Sequence, residues 1–219
     1  MNKNNYQQNI SMRGITKLTG EQIIEMLKPE LIPGERIVQC LDKESFGGKY
    51  YRPRWFVTSE GRVYSGYKGR WLEPYCRKTG VKNKEGKRTE SRYYLTSVRG
   101  NVLVHLLVLN YFGDKTPVKL FGEKNVEGHH IFGFDSTKSC QENSRIDNIQ
   151  YVDKPRHKKV LNKLRFFKRE DMEHMDGELQ FLINNYKHNP NAGIKINYTE
   201  DGRKEYQIIL KCNGNRKEE

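Results

Sequence analysis

Six histidines occur in this 219-residue chain. Three of them, His129, His130 and His157, fall in "VEGHHIFGFD" (Val126 to Asp135) and "DNIQYVDKPRH" (Asp147 to His157). A neutral imidazole is a good ligand for a divalent cation, and its second nitrogen is readily oriented by a backbone carbonyl. Neighbours on a strand send their side chains to opposite sides. One of His129 and His130 can therefore bind a metal while the other faces a water. His157, in the first turn of a following helix, can reach back to the same ion. Two protein ligands leave open positions that substrate oxygens and waters can fill. Asn148 both donates and accepts, so it can tie down the loop between two strands and hold His130 in one orientation. The other histidines carry weaker signals: His105 reads as a core or cap residue, and His174 and His188 as surface residues.

The elements that position these groups can be read from pattern. "KNVEGHHIF" alternates as a strand from about Asn125 to Phe132. "GFDSTKSCQENS" is a loop by composition. "RIDNIQYV" reads as a second strand, with Ile146, Asn148 and Gln150 on one face if period 2 holds. Asp153 is placed to cap a helix with Pro155 in its first turn, continued by "RHKKVLNKLRFF". The unit is strand, loop, strand, helix.

Upstream, residues 1 to about 14 read as disordered. "TGEQIIEMLKPE" predicts a short helix capped by Thr19 and stopped by Pro29 and "IPG". "RIVQCL", "RWFVTS" and "RVYSGY" predict strands, with the turn "SEGR" placing Gly61 at positive φ. "RKTGVKNKEGKRTESR" is an extended loop or a long hairpin tip, and "YYLTSV" and "NVLVHLL" bracket the turn "RGN". "VLVHLLVLNYFGD" predicts a helix with one apolar face through Val104, Leu107, Val108, Tyr111 and Phe112, and Gly113 at C′. Downstream, "REDMEHMDGELQFLINNYKHN" predicts a helix. "AGIKINYTEDGRKEYQIILKCNG" predicts a β-hairpin turning at Asp201-Gly202. The expected class is α+β.

The formal charge is +13 and the sequence pI near 9.5. That balance favours a polyanionic partner, because cations that neutralise phosphates release condensed counterions. No stretch approaches the ~18 apolar residues of a membrane span. The polar N-terminus lacks an apolar core of signal-peptide length, so the expected location is cytoplasmic. Cys40, Cys76, Cys140 and Cys212 form no CxxC pair, which argues against a zinc ribbon and for isolated reduced thiols.

Together, "GHHIFGFD…ENSRIDNIQYV…RH" resembles the HNH nuclease motif of the ββα-metal group. "WFVTSEGRVYS", the basic insert and "YYLTSVRGNVLVHLLVLNYFG" resemble the segment that precedes this motif in phage and intron-encoded homing endonucleases of the NUMOD4-HNH type. The resemblance covers residues 52 to about 160. It implies a DNA-contacting β-rich module (51–124) and a ββα-metal core (125–168); the pattern reading adds an N-terminal extension with a short helix and strand (1–50) and a C-terminal helix plus β-hairpin (169–219) whose role stays open. It also implies metal-ligand roles for His129 and His157, a general-base role for His130 and the central Asn role for Asn148. The loop from His130 to Asn148 is longer than in many phage members, and its extra residues lie in "GFDSTKSCQ". The implied reaction is phosphodiester hydrolysis leaving 5′-phosphate and 3′-hydroxyl ends. Magnesium is the implied ion, with manganese able to substitute and zinc compatible with a His-rich centre. DNA is the implied partner. A non-catalytic DNA-binding regulator on the same scaffold is the alternative, and an RNA-directed nuclease a third reading. Nicking versus double-strand cleavage, and monomer versus homodimer, stay open.

Eleven Lys and Arg lie between Arg62 and Arg99 against three Glu, with aromatics interleaved. From these, Arg62, Lys68, Arg70, Lys82, Lys84, Lys87, Arg88 and Arg92 are expected to contact DNA, joined by Arg156, Lys158 and Lys159 on the helix after the second strand.

Overall fold

The computed structural model describes residues 17–82, 88–97, 100–132, 138–155, 177 and 192–210. The segment to about residue 14, the helix past Pro155 and, apart from Gly177, the helix read across 169–189 lie outside the described residues. Along the chain run α1 (Gly20–Leu27), β1 (Ile37–Cys40), β2 (Arg52–Thr58), β3 (Val63–Ser65), β4 (Arg70–Trp71), β5 (Tyr75–Lys82), β6 (Arg88–Ser97), β7 (Gly100–Leu103), α2 (Val104–Phe112), α3 (Thr116–Phe121), β8 (Val126–His130), α4 (Cys140–Ser144), β9 (Ile149–Asp153), β10 (Ala192–Tyr198) and β11 (Lys204–Leu210). The class is α+β. Among the described residues no helix is long and apolar enough to cross a membrane.

The chain divides into two compact units, residues 1–113 with 135–146, and residues 114–134 with 147–219. This division is coarser than the four segments read from sequence, and it separates the loop 135–146 from the strands on either side of it.

In the first unit, α1 starts where the sequence places it. The Thr19 hydroxyl accepts from the Gln22 N–H at 3.2 Å, and the Gln22 side chain accepts from the Thr19 N–H at 2.8 Å. This reciprocal box satisfies two orphan amides of the first turn. Ile23 and Leu27, one turn apart, are fully buried with Phe56 and Tyr64, each contributing about 1.5–3 kcal/mol by removal from water. Pro29 then falls in a 3₁₀ turn, Lys28–Glu30, that ends the helix. Strands β1–β2–β3–β4 form one antiparallel sheet in that order. The β2–β3 turn has Gly61 at φ +81°, as its sequence required. Strands β5–β6–β7 form a second sheet, and the described parts of the basic insert are its paired β5 and β6 strands.

Helix α2 departs from its one-faced prediction. Val104, His105, Leu107, Val108, Leu109 and Asn110 are all buried, because β2, β6, β7 and α4 all pack on it. Gly113 ends it at φ −76° rather than in the left-handed region. Glycine is required there for another reason: a Cβ would sit 2.7 Å from the Leu109 carbonyl oxygen. The loop predicted over 133–144 contains α4. Ser139 and Glu142 form a second capping box, Arg145 Nε lies 3.0 Å from Glu60 Oε2, and the Ile146 N–H donates to Ser59 O at 2.9 Å. The extra length of this loop is thus partly spent on a helix that packs in the first unit.

In the second unit, β8 pairs antiparallel with β9, and β10 with β11. Val152, Ile194, Ile196, Tyr198 and Tyr206 form its core, with Leu120, Phe121 and Ile208 packed against them. The second strand begins later than predicted. Ile146–Asn148 is a 3₁₀ turn and only Ile149–Asp153 is strand, so Ile146, Asn148 and Gln150 do not form a strand face.

Candidate functional site

The β8–β9 ladder sets the geometry. His129 stands opposite Gln150, and His130 opposite Ile149. Directly opposed residues share a face, and neighbours along a strand alternate. His129 and His130 therefore project to opposite sides, as expected from sequence. His129 is buried at 7% exposure and His130 is half-buried.

Asn148 closes the loop end of this hairpin. Its carbonyl accepts from the Ile131 N–H at 2.7 Å, and its Oδ1 accepts from the Phe132 N–H at 3.1 Å. The two amides that follow His130 are both held by this one residue, itself buried at 8% exposure. The contact ties the chain leaving β8 to the foot of β9.

The C-terminal hairpin braces the same ladder. Gln150 Oε1 accepts from the Ile196 N–H at 3.0 Å, and Gln150 Nε2 donates to Ile194 O at 3.4 Å. A side-chain amide carries the same donor and acceptor as a peptide group, so Gln150 completes the outer edge of β10 as a strand would. Gly193 comes so close to the chain leaving β8 that a Cβ would lie 2.7 Å from Ile131 O and 2.8 Å from Phe132 Cδ1. At the far end of β9, Asp153 accepts from the Tyr198 hydroxyl at 2.8 Å, and Lys204 Nζ lies 3.3 Å from the same carboxylate. Burial, with the Asp153 carboxylate beside it, pushes the Tyr198 phenol well above its ordinary pKa. The chain turns helical at Lys154 and Pro155, and the Asp153 carboxyl anchors β10. Gln150, Gly193, Tyr198 and Lys204 were missed from sequence, because nothing local says which strands β10 will meet.

The remaining residues expected at the site, Arg62 aside, fall into three groups. His157, Arg156, Lys158, Lys159, Lys84 and Lys87 lie outside the described residues. Lys82, Arg88 and Arg92 lie on the β5–β6 hairpin, where Lys82 opposes Arg88, Arg77 opposes Arg92 and Lys78 opposes Glu90. Lys68, in the β3–β4 turn, and Arg70, at the start of β4, are exposed.

Arg62 is engaged within the first unit. Its Nε donates to Glu35 Oε1 at 2.9 Å, its Nη2 to Glu30 O at 3.0 Å, and its guanidinium lies 4.3 Å from the Trp71 ring centroid. The Glu35 side chain has no solvent exposure. Burial works against its charge, but hydrogen bonds from Arg62, Thr58 and the Ile32 N–H outweigh this and hold its pKa below the ordinary range. Three contacts hold the Arg62 guanidinium to the fold.

Among the described residues no three His, Cys, Asp or Glu side chains are grouped to hold a metal ion. The sequence pairs His129 with His157, which lies outside the described residues. A strand-end imidazole next to a second one, on a loop closed by Asn148, is chemically suited to a divalent cation with open positions. Comparison with family models, curated proteins and solved structures found no match.

Proposed function

We propose that the chain is a metal-dependent DNA endonuclease of the HNH type, hydrolysing phosphodiester bonds to 5′-phosphate and 3′-hydroxyl ends. The observation that carries this reading is the Asn148 clasp, which closes the β8–β9 hairpin directly after the His129–His130 pair.

His129 and His157 would hold the ion. A divalent cation bound there would supply charge neutralisation to the phosphate undergoing cleavage. His130 takes the proton of the attacking water, a role suited to an imidazole near neutral pH. Asn148 fixes the exit of β8 so that His130 keeps its direction. Gln150 and the C-terminal hairpin back the strand pair against which that direction is set. The net charge of +13 draws the polyanion, with Lys68, Arg70 and the β5–β6 hairpin as the phosphate-contacting candidates.

Plasmid nicking with magnesium or manganese tests the reading. Wild type is expected to convert supercoiled plasmid to open or linear forms. His130→Ala is expected to bind the same DNA in a gel shift without cutting it. A wild type that binds DNA carrying its native flanking sequence, yet leaves it intact with either ion, replaces the nuclease with the non-catalytic DNA-binding regulator.

A further inference from the structure

We propose that Tyr67 is a stacking platform for a nucleobase, the centre of a nucleic-acid contact built by the β3–β4 turn. This rests on nucleic acid as the partner in the functional reading, and adds a way of holding it that does not depend on the histidine site.

The turn is pinned at both ends. The Gly69 N–H donates to Ser65 O at 2.7 Å, and the Lys68 N–H to the Ser65 hydroxyl at 3.2 Å. The Gly66 N–H donates to Arg54 O at 2.7 Å. A Cβ on Gly66 would lie 3.1 Å from Ile23 Cδ1 and 3.3 Å from Arg54 O, so the strand meets the core with no room for a side chain. The Arg54 guanidinium is itself fixed, donating to Leu18 O at 2.8 Å and to Gly66 O at 3.2 Å. Its Cζ lies 5.9 Å from the Tyr67 ring centroid, a cation–π contact that steadies the ring.

Steadied in this way, the ring is still 64% exposed. It is more open than Ile32, Leu41, Tyr75 or Leu210, the other exposed large apolar residues described. A core role would have buried it. Its neighbours Lys68 and Arg70 are exposed cations, and from Arg62 to Leu72 the sequence has no acidic residue. An open aromatic face flanked by cations is the arrangement that binds a base by stacking and its phosphates by charge. An apolar protein partner would find one ring and two charges to desolvate.

The test uses the full-length chain with EDTA present, so that binding is read without cleavage. Fluorescence anisotropy is measured on a labelled single-stranded DNA of mixed sequence, and on an abasic strand of equal length. Tyr67→Ala is expected to weaken binding to the base-bearing strand roughly 5- to 150-fold, the range of one lost stack. The salt dependence should stay the same, since stacking releases no counterions. Lys68→Ala should instead lower the slope of log K against log salt by about 0.7. Tyr67→Trp should bind as well as wild type. On the abasic strand, wild type and Tyr67→Ala should bind alike.

A Tyr67→Ala within about twofold of wild type on the base-bearing strand overturns the proposal. So does an equal loss on both strands, which would place the effect on the backbone or the fold. A wild type that binds neither strand also overturns it. Binding that depends on Tyr67, with plasmid left intact in magnesium, upholds the stacking site and removes the nuclease reading instead.

Discussion

Gln150→Leu isolates the joint between the β8–β9 pair and the C-terminal hairpin. Leucine fills about the same apolar space but has neither donor nor acceptor. The Ile196 N–H loses its 3.0 Å acceptor, and Ile196 is only 4% exposed. A buried amide left without a partner costs about 1–3 kcal/mol. The Ile194 O contact, at 3.4 Å, is at the edge of hydrogen-bond range and adds little. Burying Leu in place of the amide returns part of the loss through apolar contact. The expected net destabilisation is about 1–2 kcal/mol. Two compact units need not unfold together, so a local probe is the better assay. Hydrogen exchange across residues 192–198 should quicken by roughly 5- to 30-fold, with α1 and the β1–β2 pair unchanged. Nicking should fall as well, since His129 stands opposite Gln150 in the ladder. A Leu variant with wild-type exchange in β10 would show that Gln150 does not join the two hairpins, and the account of their packing would be wrong.

Further predictions follow from the same contacts. Arg62→Met should cost about 3–5 kcal/mol in a denaturant melt, because Glu35 keeps a buried charge without its guanidinium. Glu35→Gln/Arg62→Met should recover part of it, and folded Arg62→Lys should keep the wild-type salt slope for DNA. Asp42 carries a pH effect. Burial opposes its charge, but hydrogen bonds from the Ser45 hydroxyl and N–H, Asn110 and the Glu44 N–H bring its pKa down to about 2 from 3.8. A depressed carboxylate stabilises the fold above its unfolded pKa, and that contribution fades as pH falls from 3.8 towards 2. Asp42→Asn should therefore lose less stability than wild type between pH 5 and pH 2 in acid melts monitored by circular dichroism. Gly193→Ala should destabilise the second unit by about 1–3 kcal/mol, because the added methyl meets the Ile131 carbonyl; a neutral melt would contradict the close approach of β10.

Local signals were legible where the physics is local. Thr19 and Gln22 form their box within four residues, Gly61 supplies a positive φ, and the β10–β11 hairpin turns through Asp201-Gly202. The turn there is wider than a two-residue one, since the Thr199 N–H pairs with Arg203 O and Gly202 sits at φ +84°. The capping box at Ser139 and Glu142 was equally local, but the polar composition around it read as loop. Period-2 reasoning carried "RIDNIQ" into a strand that starts only at Ile149. It failed because Ile146 is held by Ser59 and Asn148 turns to meet Ile131 and Phe132.

The sequence by itself determined the α+β class, the basic character, most of the strands and the placing of His129, His130 and Asn148 around one hairpin. These follow from periodicity, turn chemistry and residue type, which act over a few neighbours. Only the tertiary structure decided that Arg62 serves Glu35 and Trp71, that Gln150 is an edge for β10, and that α4 packs with α2. Each depends on partners from 9 to 46 residues away, and a polar side chain shows no sign in sequence of which distant backbone group will bury it.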